Sequence, residues 1–220
     1  MRLRISRHLF PVVLLSLIIL FPTAALRAAT ITTLFNSNNG GSPGGAVYFD
    51  LTVGPNNLSI TGLDTNTGAI GVFPGFEIYT GIGTAFGNET NIGFWGLATT
   101  GTLTGVGSNG MSSVTLAPFP VFSANTSYGI ALVMPAGADH DYTNTGQNGA
   151  LASYSNLDLT LTFGTATNVP FTGGVFNPRT WNGTINYDVQ AVPLPAAVWL
   201  FLTALGGLGL FGRRRRRAAA

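Results

Sequence analysis

In the middle of this chain the apolar residues recur at every second position. Val47, Phe49, Leu51 and Val53 alternate with Tyr48, Asp50 and Thr52. Leu157, Leu159, Leu161 and Phe163 alternate with Asp158, Thr160 and Thr162, and Ile185, Tyr187 and Val189 alternate with Asn186, Asp188 and Gln190. Successive side chains of a β-strand point to opposite faces, so each run has one apolar face and one polar face. No stretch before residue 194 keeps a 3.6-residue period for more than two turns. The outward positions are mostly Thr, Asn, Ser and Asp, and Gly, Pro and Asn separate the runs. That pattern specifies antiparallel sheets with a wet outer face. The expected fold is all-β, an antiparallel β-sandwich of jelly-roll type.

The remaining runs follow the same logic. Ile31 to Phe35 is a first short strand, and Asn36 to Gly45 is a loop in which Gly and Asn supply positive φ and Pro43 blocks pairing. Leu58 to Leu63 follows the Pro55-Asn56-Asn57 turn. Phe76 and Ile78 face one way, Glu77 and Tyr79 the other. Ile92 to Thr99, Val114 to Leu116 and the alternation Tyr128, Ile130, Leu132, Met134 complete a set of about nine strands.

Charge excludes several partners. The whole chain carries ten basic and eight acidic residues, a formal +2. Nine of the ten are arginines at the two ends: Arg2, Arg4, Arg7, Arg27 and Arg213 to Arg217. Between Ala29 and Val192 stand Arg179 and all eight acids, one minus eight, or −7. Such a domain repels nucleic acid, so no nucleic-acid partner is expected. With no cysteine in the chain, disulfides, thiolate metal sites and Cys nucleophiles are excluded. Stability must come from the core, which a domain of this size can supply.

The ends carry targeting features. Residues 1–28 read as a secretory signal peptide: a basic start, an apolar run from Leu9 to Phe21, then Pro22. Thr23-Ala24-Ala25 or Leu26-Arg27-Ala28 supplies the small-residue cleavage site. Export through the Sec translocon and cutting by signal peptidase follow from it. At the other end, Val192-Pro193-Leu194-Pro195 precedes an uncharged span from Ala196 to Gly212, then Arg213, Arg214, Arg215, Arg216 and Arg217. Seventeen helical residues extend about 25 Å, close to the hydrocarbon thickness of a bilayer. Five arginines cannot cheaply cross lipid and stop the span on the cytoplasmic side of the inner membrane. The domain of residues 29–190 then lies outside.

This order of parts resembles the PEP-CTERM sorting signal of Gram-negative bacteria, with the family's Pro-Glu-Pro present as the variant Pro193-Leu194-Pro195. The resemblance covers Val192 to Arg217. It implies recognition by exosortase, a membrane protease-transpeptidase, processing near residue 195, and then surface attachment or release. It also implies an association with exopolysaccharide and biofilm. A plain C-terminal anchor is the alternative. A second, shorter likeness runs from Phe122 to Leu132, which resembles a piece of bacterial extracellular jelly-roll domains of the choice-of-anchor kind and implies fold alone.

Candidate chemistry is sparse. Gly40-Gly41-Ser42-Pro43-Gly44 fits G-x-S-x-G, but a nucleophile elbow needs a strand before the Ser and a helix after it. Gly105-Val106-Gly107-Ser108-Asn109-Gly110 fits G-x-G-x-x-G, yet a strand follows where a phosphate site needs a helix N-terminus, so a hairpin loop is the better account. Asp139-His140-Asp141-Tyr142-Thr143-Asn144 is the densest polar cluster. One His cannot make a zinc site, whereas oxygens of Asp139, Asp141 and Asn144 suit Ca²⁺; the plainer account is a solvated loop. Glu77 and Glu89 are the only glutamates, and glycoside hydrolysis would need them to face each other. Trp95 and Trp181 could offer a sugar-stacking face, with core packing the competing role. No catalytic residue and no cofactor beyond that calcium is expected. The leading expectation is a non-enzymatic structural or adhesive surface protein. A carbohydrate-binding module is the second and an extracellular hydrolase the third.

Overall fold

The computed structural model describes residues 26–190. The expected signal segment up to Ala25, the sorting motif, the apolar span and the arginine block lie outside them. The first half of the described chain forms β1 (Leu26–Thr32), β2 (Asn39–Gly40), β3 (Ala46–Val53), β4 (Asn57–Thr65), β5 (Ile70–Ile82), β6 (Gly96–Val106) and β7 (Ser112–Leu116). The second half forms β8 (Val121–Phe122), β9 (Ser127–Val133), β10 (Asp141–Asn144), β11 (Ser153–Ser155), β12 (Leu159–Val169), β13 (Thr172–Phe176), β14 (Arg179–Thr180) and β15 (Gly183–Gln190). The protein is all-β, as the alternation requires. Every pairing is antiparallel, and twelve strands form one continuous sheet, in the order β1-β15-β4-β7-β6-β5-β9-β3-β12-β11, with β13 on β12 and β8 on β4. A separate small sheet, β14-β10-β2, sits at one rim. One turn of 3-10 helix, Ile92–Phe94, replaces the start of the strand expected from Ile92.

The sheet rolls almost closed. Its order runs from β1 to β11, and the seam is crossed where Arg27 of β1 donates to Asp158 Oδ2 in the turn between β11 and β12. This is the one ion pair among the described residues. The inward faces carry the residues that the period-two pattern picks out: Val47, Phe49, Leu51, Leu58, Leu63, Phe76, Ile78, Leu132, Leu161 and Ile185 are all buried. Trp181 is a centrepiece. Its ring stacks on Phe49 at 5.6 Å and 12°, and its Nε1–H donates to Thr65 Oγ1 at 2.9 Å. A buried indole is acceptable only when its donor is met.

The outer face is not wet everywhere. Tyr48, expected to face solvent, is 1% exposed. Residues 83–95 fold back over β3, β9 and β12 and make a second, smaller core of Ala46, Tyr48, Ala85, Trp95, Ala131 and Val133. Two carboxylates seat this flap. Asp50 accepts from Thr84 Oγ1 and from the Ala85 N–H, both at 2.7 Å. Glu89 accepts from the Gly87 N–H at 2.8 Å and from Thr165 Oγ1 at 3.1 Å. Charge-assisted bonds of this kind are the stronger ones. The Phe94 ring lies so near the sheet that a Cβ on Gly81 would come 2.3 Å from it.

That close approach makes the flap sensitive to a single methyl group. Gly81→Ala should lift Phe94 and cost about 1–3 kcal/mol, the usual penalty of overpacking. Gly174, with nothing within 4 Å, supplies the matched control, and Gly174→Ala should be near neutral. Urea denaturation followed by tryptophan fluorescence distinguishes the two; equal midpoints would mean that Phe94 does not seat the flap.

Candidate functional site

The residues singled out at 139–144 lie at the rim where β4 turns into β5, β6 into β7, and β9 into β10. The chain is polar here because every loop crossing the rim must satisfy its backbone groups away from the sheet ladder. Asn66 is fully buried and its Oδ1 accepts from the Asn109 N–H at 2.7 Å. Asn38 Oδ1 accepts from the Asn144 N–H at 2.9 Å, and Asn38 Nδ2 donates to Gln147 Oε1 at 2.7 Å. Thr143 Oγ1 bridges Asn182 and the Asn36 carbonyl. The Asn-rich stretches are thus a network that ties the loops of one rim together.

The three expected calcium ligands do not converge. Asp139 Oδ1 accepts from Thr67 Oγ1 and from the Gly68 N–H, both at 3.1 Å. Asp141 lies close by, its Oδ1 and Asp139 Oδ2 both near Gly40. Asp141 Oδ2 is buried without a partner. Burial, and secondarily the charge of Asp139, pushes the Asp141 carboxyl above its usual range, against a hydrogen bond from Ser108. Asn144 stands three positions along β10, and an odd spacing puts it on the opposite face of the strand. Its Oδ1 accepts from the Arg179 guanidinium at 2.8 Å and from Asn39 Nδ2 at 3.1 Å, so a cation already occupies that oxygen. Among the described residues no group of three or more His, Cys, Asp or Glu side chains could hold a metal.

His140, between the two aspartates in sequence, points the other way. It is 2% exposed, and its Nε2 lies 3.0 Å from the Leu132 carbonyl. That oxygen only accepts, so the ring is the Nε2–H tautomer, and Nδ1 is left buried without a partner. Burial drives its pKa down to about 4, against the opposing pull of the Leu132 carbonyl and Asp139.

The other candidates are likewise placed. Gly40 to Gly44 runs from β2 into β3 with no helix after Ser42. Gly107 to Gly110 is the tight turn of the β6–β7 hairpin, Gly110 N–H donating to the Gly107 carbonyl at 3.1 Å. Glu77 accepts from the Tyr79 hydroxyl at 2.9 Å, while Glu89 is used in seating the flap. Trp181 is fully internal and Trp95 is buried under the flap, where it meets Phe94 edge-on at 4.8 Å. Neither indole offers a flat face to a sugar. At the opposite rim a groove of about 340 Å³ is lined by Arg27, Thr30, Asn156, Leu157, Asp158 and Tyr187. Sequence reasoning passed over it, since its residues come from both edges of the sheet. Within it the Tyr187 hydroxyl donates to Asp158 Oδ2 at 3.1 Å and accepts from Asn156 Nδ2 at 2.8 Å.

The fold and these sites define an all-β domain whose buried polar side chains mostly hydrogen-bond to one another. No family model and no curated protein matches the chain. Among solved structures it is similar at 20% identity to a chain from the structure of infectious bursal disease virus Gx strain, over 85% of this chain and 49% of that one, with a TM-score of 0.27. The Gt strain structure gives 19% identity over 76% and 41%, with a TM-score of 0.24. The chain spans less than half the length of either viral chain, and likenesses this low carry no argument about fold or function. Among the described residues no helix is long and apolar enough to cross a membrane.

The buried imidazole gives the domain a defined response to acid. The unfolded chain takes up a proton near pH 6.5 that the folded chain refuses until about pH 4. The contribution of His140 is therefore complete above pH 6.5 and is lost as pH falls through that window, about 3 kcal/mol in all. Asp141 and Asp64, whose pKa values burial raises, act in the opposite sense at the acid end. His140→Gln, which keeps a donor toward Leu132, should remove the slope between pH 4 and 6.5 in chemical denaturation; parallel profiles for the two proteins would mean that His140 does not titrate in this way.

Proposed function

We propose that this chain is an exported, non-enzymatic surface protein of the extracellular matrix, delivered by a C-terminal sorting signal that exosortase reads. One observation carries the proposal: the three-part tail follows the last strand directly. β15 ends at Gln190, Val192-Pro193-Leu194-Pro195 begins two residues later, and the apolar span and five arginines follow in order. The arginines fix the cytoplasmic end, so the β-domain faces outward from the inner membrane. After processing near residue 195 the domain stays at the surface or is released. Its role there is structural or adhesive, alongside exopolysaccharide.

The register of β1 bears on the other end. Of the two expected signal-peptidase sites, cutting after Ala28 would remove Leu26, Arg27 and Ala28, which pair with Gln190, Val189 and Asp188. It would also take Arg27 away from Asp158, a carboxylate 8% exposed. A buried charge that loses its partner is costly. Cutting after Ala25 leaves strand and ion pair whole.

The mature protein should therefore begin at Leu26 and end near Pro195 when recovered from its own cells, as N-terminal sequencing and intact mass would show. A chain beginning at Met1 and ending at Ala220 would overturn the proposal. A mature N-terminus with an intact tail would reduce it to a membrane-anchored domain.

A further inference from the structure

Both chain ends leave the barrel at one point. Leu26 pairs with Gln190, and Gln190 with Asn57. Every pairing is antiparallel, and the registers place the turn 54–56, the segment 117–126 and the turn 156–158 at the same rim. These pieces are tied to one another. The Gly54 N–H donates to the Asp158 carbonyl at 2.7 Å, the Asn125 N–H to the Gly54 carbonyl at 2.8 Å, and the Ala124 N–H to Asn57 Oδ1 at 2.9 Å. Apolar side chains are exposed at this rim: Leu157 is 92% exposed, Ile82 80% and Val121 50%, and Pro55, Pro118 and Pro120 are exposed beside them. Ile70, Met111 and Val106 are exposed at the other rim, so it is the position of the chain exit that singles this rim out.

We propose that this rim is a lipid-facing surface, seated on the head groups of the membrane that holds the apolar tail. The proposal rests on the reading of residues 196–212 as a membrane span and adds to it an orientation and a contact. Residues 191–195 are the whole link between the last strand and that span. Fully extended, a link of that length reaches about 20 Å, and Pro193 and Pro195 stiffen it. The rim therefore cannot stand far from the bilayer, and exposed Leu, Ile and Val side chains there gain from leaving water.

Charge agrees with that orientation. Arg27 and Asp158 are paired at the rim, and Asp188 lies on the flank two positions down β15, so little net charge meets an anionic leaflet. Asp139 and Asp141 sit at the opposite rim, where an anionic surface would repel them.

The chain has no cysteine, so single cysteines report cleanly. The full chain carrying Leu157→Cys, Val121→Cys, Asn148→Cys or Ala204→Cys is recovered uncleaved from membranes. It is labelled with an environment-sensitive fluorophore and reconstituted in phosphatidylethanolamine–phosphatidylglycerol vesicles containing head-group-proximal spin-labelled lipid. Labels at 157 and 121 should be blue-shifted and quenched several-fold more than the label at 148, and the label at 204 should be quenched by acyl-chain probes. Quenching at 204 with none at 157 and 121 would leave the anchor standing and overturn the lipid contact. Blue shift at 157 and 121 without lipid quenching would also overturn it, in favour of a second copy of the chain against the rim. No quenching at 204 would overturn the anchor and the contact together.

Discussion

A sheet that rolls round on itself has to end somewhere, and here the order ends at β1 and β11, with the seam crossed at the turn between β11 and β12. Arg27 spans that seam to Asp158, and the Tyr187 hydroxyl accompanies it. Asp158 is well buried and Arg27 is not, so the pair is worth more as a lock than as a source of stability. Solvent screens the exposed guanidinium, and a pair of that kind contributes modestly. Its removal is another matter, because the carboxylate would be left largely buried without its partner. The arrangement also blunts the two free edges of the sheet by turning them toward each other, which guards against edge pairing.

Much of the barrel interior was legible from period-two alternation, because a one-residue slip would send every apolar side chain of a strand to the wrong face. The inward set on β3, β12 and β15 follows directly from it. The long β5–β6 hairpin was legible only in part. Gly71, Gly75, Gly101 and Gly105 interrupt its outer half, and Pro74 stands among them, so the local pattern there reads as turn. β12 beyond Gly164 and the β13 hairpin were missed for the same reason. The flap was not legible at all. Glu89 in a Gly-Asn stretch has the composition of a solvated loop, and what buries it is Thr165, far along the chain.

The polar rim shows how far composition can be trusted for function. Asp139, Asp141 and Asn144 share an oxygen chemistry suited to calcium, and sequence spacing alone leaves them as candidates. Strand geometry separates them, since Asn144 turns to the face where Arg179 meets it. What remains is a pair of carboxylates over Gly40 within a mesh of Asn and Thr bonds. Similar amide-rich loops recur around this rim, and their side chains satisfy backbone groups that the sheet ladder cannot reach.

The two rims therefore have different physical characters, and their contrast has one source in the topology. The strand registers place Leu26 and Gln190 side by side, so both ends of the described chain leave at one rim. Every loop at that rim shares its surroundings with the chain exits, while every loop at the other rim is as far from them as the barrel allows. Acidic, densely hydrogen-bonded loops lie at the far rim, where Ile70, Val106 and Met111 are exposed as well, and Leu157, Val121 and Ile82 are exposed at the near one. On the proposed reading of residues 196–212 as a membrane span, the five-residue link gives each rim a fixed surrounding: lipid head groups on one side and open solvent on the other.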